Sequence, residues 1–72
     1  MEDWKRQATG WVDERNFEID VAQVPDGYLM RVRVIGFPLL QDDKIYASAA
    51  EAQAAAVDFL QAQFPGTVTL GE

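Results

Sequence analysis

Few side chains in this sequence can do chemistry, and almost all of those are carboxylates. Its 72 residues include no histidine and no cysteine. That removes the group that titrates nearest neutral pH, the thiolate nucleophile and most transition-metal ligation. Serine occurs once, as Ser48 in "SAAEA", where a helix N-cap accounts for it. Two pairs of acids remain. Asp42 and Asp43 are adjacent and, with a third carboxylate brought in by the fold, would suit a magnesium ion. A solvated turn ahead of a strand is the simpler reading. Glu18 and Asp20 are two apart, so on a strand they share a face and could supply the paired carboxylates of acid–base catalysis. Arg31 and Arg33 have the same spacing, and ion pairing between the two sets is the simpler reading here too. We expect no catalytic residue, no metal ligand and no cofactor. A magnesium-dependent carboxylate enzyme ranks last among the functions considered.

The elements that position these charges follow from alternation. From Asn16 to Gln23, Phe17, Ile19 and Val21 point one way and Glu18, Asp20 and Ala22 the other. From Tyr28 to Ile35, Tyr28, Met30, Val32 and Val34 share a face, with Leu29, Arg31, Arg33 and Ile35 opposite. Val24-Pro25-Asp26-Gly27 between them has turn chemistry at each position. The segment is therefore a hairpin. Its apolar residues are odd-numbered in the first strand and even-numbered in the second, so the register must match odd with even. With Gln23 facing Tyr28, Val21 meets Met30, Ile19 meets Val32 and Phe17 meets Val34. The same register sets Asp20 opposite Arg31 and Glu18 opposite Arg33 on a solvated face. Each such pair contributes about 0.2–1 kcal/mol, less in salt.

The remaining segments are less regular. In residues 1–15, Trp4 and Trp11 fit one helical face, but Thr9-Gly10 interrupts it. A short turn followed by an extended "GWVD" fits equally well, and both indoles are expected to pack on the core. Residues 37–44 are also undecided; "GFPLLQDDKIYAS" allows a second hairpin turning at 41–43, with Lys44 to Ala47 as a third strand and Pro38 at an edge. Ser48 and Glu51 form a capping box that opens an Ala-rich helix, which Phe64-Pro65-Gly66 closes. Val57, Leu60 and Phe64 fall on one helical face with Ala49 and Ala56. "TVTL" near the C-terminus alternates like an edge strand. The chain reads as one α+β domain, 1–72. It has an antiparallel sheet of three or four strands with one helix on its apolar face and, as an option, a final short strand. The expected core is Phe17, Ile19, Val21, Met30, Val32, Val34, Val57, Leu60 and Phe64.

Net charge is −6 with a pI near 4.3. An acidic chain is poorly suited to phosphate backbones or anionic membranes. Two arginines are also too few for a nucleic-acid track, and no aromatic is expected beside them. No apolar run approaches the roughly 20 residues of a membrane span, and "MEDWKRQ" has no signal-peptide character. We expect a cytoplasmic protein with no nucleic-acid and no membrane partner. The candidate contact surface is Leu29, Arg31, Arg33 and Ile35, with Glu18 and Asp20 beside them. Cover for Leu29 and Ile35 from the N-terminal segment or a third strand ranks slightly ahead of cover by a partner.

"PDGYLMRV" and "SAAEAQAA" are similar to the hairpin and helix start of the HicB-type antitoxins, whose domain is a partial RNase-H-like fold. The resemblance spans Phe17 to Leu60 and implies a small protein that neutralises a partner by binding it. The chain departs from that family in lacking its Gly-Cys step. A double-stranded-RNA-binding arrangement has a similar Ala-rich helix but needs lysines at the helix start, where this chain has Glu51. Together these features point to a small acidic non-catalytic protein-interaction module of bacterial or phage type, binding another protein or itself as a homodimer. The alternative is an acidic, antitoxin-like inhibitor that blocks a nucleic-acid-binding protein.

Overall fold

A computed structural model describes residues 3–71. In chain order the elements are β1 (Trp4–Val12), β2 (Arg15–Val24), β3 (Gly27–Val34), β4 (Leu40–Gln41), α1 (Ala49–Gln63) and β5 (Val68–Leu70). The strands form one antiparallel sheet of order β4-β3-β2-β1-β5, with α1 packed across one face. This is the expected α+β architecture, with one strand more than the sequence specified.

The β2–β3 hairpin has the register deduced from odd-with-even matching: Phe17 faces Val34, Ile19 faces Val32, Val21 faces Met30, Asp20 faces Arg31 and Glu18 faces Arg33. Pro25-Asp26 forms the loop. Gly27 is at φ 148°, and a Cβ there would collide with the Tyr46 carbonyl oxygen.

Residues 3–15 are extended beyond the expected "GWVD": residues 10–12 belong to a strand that begins at Trp4, with neither a helix nor a separate turn before it. Residues 1 and 2 lie outside the described residues. β1 pairs with β2 through a two-residue loop, Asp13-Glu14, whose φ angles are 54° and 64°. Positive φ at both loop residues gives the twist that a right-handed hairpin needs. Asn or Gly usually signals such a turn, and their absence hid this hairpin. The left-handed conformation at Glu14 costs roughly 1 kcal/mol.

Within β1 the pairing shifts between Arg6 and Ala8, so Gln7 is an extra, bulged residue. The bulge reverses the alternation. Trp4 and Arg6 before it, and Thr9 and Trp11 after it, all face away from the helix. The expectation that both indoles enter the core is corrected here. Trp4 is half-buried and Trp11 is 55% exposed. Gly10, directly opposite Phe17, takes the core-side position instead. A Cβ on it would meet the Phe17 ring at 2.7 Å and collide with the Thr69 carbonyl oxygen, so Gly10 lets both the ring and β5 close in.

The second hairpin at 41–43 is not formed. β4 pairs with β3 (Val32 with Leu40, Arg31 with Gln41), and Tyr46 makes one further bridge to Tyr28 with two 2.8 Å backbone hydrogen bonds. Residues 42–45 face only Leu29 and Met30 in that stretch, so the surplus bulges outward. The "QDD" segment is a detour along one edge.

Ser48 caps α1, its Oγ accepting the Glu51 N–H at 3.1 Å. The helix seats Ala52, Ala56 and Leu60 on the sheet, and Phe64 closes its last turn by donating its N–H to the Leu60 carbonyl at 2.9 Å. Small alanines at the contact line bring the helix axis close to the strands. This displaces Val57, expected in the core, to a half-buried flank. Val12, Phe17, Ile19, Val21, Met30, Val32 and Val34 supply the sheet's side of the core.

Candidate functional site: the open sheet face

Among the described residues no helix covers the second face of the sheet, and the pairings arrange it in rows that cross the strands. Trp4, Ala22 and Leu29 form the row at one end; Arg6, Asp20, Arg31 and Gln41 form the next, then Thr9, Glu18 and Arg33. At the far end Thr69, Trp11 and Asn16 continue to Ile35, whose N–H donates to the Asn16 carbonyl at 3.2 Å. The face is therefore a charged band between two rows that each carry a tryptophan on β1 and an aliphatic side chain at β3.

The band is cross-linked. Arg6 Nε donates to Asp20 Oδ1 at 2.8 Å, and its Nη1 lies 3.2 Å from Glu18 Oε2. From the other side Arg31 Nε reaches Asp20 Oδ2 at 3.2 Å, and Arg33 Nη1 reaches Glu18 Oε1 at 3.5 Å. The Arg31 guanidinium also stacks on the Trp4 ring, 4.4 Å from its centroid. The hydrogen bond to Asp20 raises the Arg6 pKa, as does its attraction to both carboxylates. Each of the five charges in the band lies within 3.5 Å of one of opposite sign.

The structure brings together the expected partner-binding residues, with differences that matter. Glu18, Asp20, Arg31 and Arg33 form one network, and Arg6, unforeseen from spacing, completes it from a third strand. Asp20 was expected in solvent and is buried, because Arg6 and Arg31 close over it from both sides. Leu29 is half-buried in the row with Trp4 and Ala22, while Ile35 remains 63% exposed. The N-terminal segment thus lies beside the hairpin as a strand, and does not lie over it. Two aromatics, Trp4 and Trp11, sit on the face where none was expected. The signal for them was the Gln7 bulge, which is invisible in composition and alternation alone.

Side-chain exposure decides what a partner would meet. It is 9% for Asp20 and 30% for Glu18, against 47% for Arg6 and 53% for Arg33. The Arg6 and Arg33 guanidiniums are the outermost charges, while Arg31, at 24%, lies as deep as the carboxylates. The network's three arginines and two acids sum to +1; with a chain total of −6, the other residues carry −7. The outermost charge of the open face is therefore opposite in sign to the rest of the protein.

Of the other acidic pair, Asp42 is committed to its loop and Asp43 is exposed. Asp42 Oδ1 accepts the Lys44 N–H at 3.3 Å and Oδ2 accepts the Tyr46 hydroxyl at 2.9 Å. Burial, then the hydrogen bond and charge of Asp42, raise the Tyr46 pKa. Among the described residues, no three His, Cys, Asp or Glu side chains come together as a metal cluster. No helix among them is long and apolar enough to cross a membrane. Comparison of the chain with protein-family models, curated proteins and solved structures gives no match.

Proposed function

We propose that this chain is a non-catalytic protein-interaction module and that its open sheet face is the contact surface. One observation carries the reading: Trp11 and Ile35, both more than half exposed, stand in one row beside a charged band whose outermost groups are the Arg6 and Arg33 guanidiniums. Aromatic and arginine side chains are the types enriched where proteins meet, and they supply most of the binding energy there. The carboxylates that could serve as acid–base groups are each spent on two arginines. A nucleic-acid mimic would need a continuous acidic stripe, which a face topped by guanidiniums does not offer.

The test compares the wild-type chain with a Trp11→Ser/Arg33→Glu variant whose fold is checked by circular dichroism. Proteins retained from the host lysate are identified for both baits, and sedimentation from micromolar to millimolar concentration reports self-association. The variant should lose a retained protein or a dimer that the wild type shows. Equal retention and identical sedimentation would refute the assignment.

A further inference from the structure

The open face also specifies the chemistry of what it holds. Trp11 and Ile35 flank Asn16 across two strand spacings, about 9–10 Å from backbone to backbone, with a short polar side chain between two large exposed apolar ones. An apolar side chain laid over Asn16 would meet both of them. Arg33 stands two residues from Ile35 on the same side of the strand, about 6–7 Å away. It has the most exposed charge of the network and the longest ion pair, 3.5 Å to Glu18. Such a contact contributes little to stability, so the guanidinium can take a second acceptor at little cost.

We propose that the open face binds an acidic polypeptide segment, which seats an apolar side chain over Asn16 between Trp11 and Ile35 and sets a carboxylate against Arg33. This inference rests on the reading of the face as a protein-contact surface and adds the sign and pattern of the partner.

Two other occupants fit less well. A second copy docked face to face about a two-fold axis centred on β2 would lay arginine columns over arginine columns and the Glu18–Asp20 column over itself. This holds whether the axis runs along the strands or across them, because β1 and β3 both carry arginines outside a central acidic strand. A single-stranded nucleic acid has a base-stacking surface in Trp11, but its evenly spaced phosphates must cross the Glu18–Asp20 column of a chain that is acidic elsewhere. A polypeptide can place an uncharged residue over that column.

The experiment is an amide NMR titration of the full chain at low salt with four probes. These are a capped peptide with one phenylalanine among aspartates and glutamates, its lysine counterpart, its phenylalanine-to-alanine version, and oligothymidylate. The acidic peptide should shift Trp11, Asn16, Arg33 and Ile35 saturably at millimolar concentration or below. Losing the phenylalanine, or making Arg33→Glu or Trp11→Ala in the protein, should weaken binding about tenfold each. Asp58→Lys on the far side of the helix should leave binding unchanged.

No shift with the acidic peptide at millimolar concentration overturns the proposal. So does tighter binding of the lysine peptide at the same amides, although the face would then remain a protein-contact surface. Tighter oligothymidylate binding at those amides overturns both readings. Because Trp11 and Arg33 are exposed, their variants should keep the wild-type amide spectrum elsewhere, which separates lost binding from lost fold.

Discussion

Phe17, Ile19 and Val21 interleave along β2 with Glu18, Asp20 and Ala22, so one strand builds both faces of the sheet. On the helix side Phe17, Ile19 and Val21 are taken out of water, and each such side chain contributes about 1.5–3 kcal/mol. On the open side the charges neutralise one another in reach of solvent, where each exposed pair contributes at most about 1 kcal/mol. The inner face holds the fold together. The outer face is comparatively free to serve something else, because little of the fold depends on it.

Phe17→Ala should show the largest effect, a loss of about 3–5 kcal/mol in urea unfolding, since the ring fills the space that Gly10 leaves. A loss under 1 kcal/mol would mean that the core does not rest on that ring. Asp20→Asn comes next. It removes the charge and turns one of the two oxygens that accept from Arg6 and Arg31 into an N–H donor, and should cost about 1–2 kcal/mol, limited by the exposure of the arginines. A cost matching that of Phe17→Ala would erase the contrast between the faces. In the opposite direction, Glu14→Gly should raise stability by roughly 1 kcal/mol by relieving the left-handed residue of the first turn; a destabilised variant would argue against that turn. Arg33→Gln should change stability by less than about 0.5 kcal/mol, while removing the charge that the proposed partner contacts.

Tyr46 sharpens the comparison through pH. Its pKa is raised above the ordinary 10.0 by burial and by Asp42, so the folded state favours the protonated phenol. Its contribution is therefore intact below the ordinary value and is lost as pH rises through the raised one. A near-ultraviolet absorbance titration of wild type minus Tyr46→Phe should centre above the ordinary tyrosine value. A difference curve centred at or below it would show that the Tyr46–Asp42 contact does not form in solution.

What the sequence revealed depended on whether a local pattern carried the information. The β2–β3 hairpin was legible down to individual pairs because strict alternation and a Pro-Asp-Gly turn each specified it independently. The helix boundaries were legible from Ser48, Glu51 and Phe64-Pro65. Its rotation was not: the choice between Val57 and Ala52 at the contact line depends on how near the strands the axis can come, which is a property of the pair of elements. The first hairpin was missed because Asp13-Glu14 adopts a conformation that its side chains do not advertise. Four of the five charges of the open-face network were identified from spacing alone. Arg6 and the tryptophans were not, because their placement waits on β1.

Gln7 carries a further consequence. Trp4 and Trp11 are seven positions apart, an odd interval, and on an unbroken strand they would stand on opposite sides of the sheet. One surplus residue converts that interval to an even one and gives the open side both indoles. Removing a single codon in this stretch would leave the chain's net charge and hydrophobic content almost untouched, yet would turn one end of β1 over. Among descendants of such a gene, strand length would then be as strong a determinant of binding as any side chain on the surface.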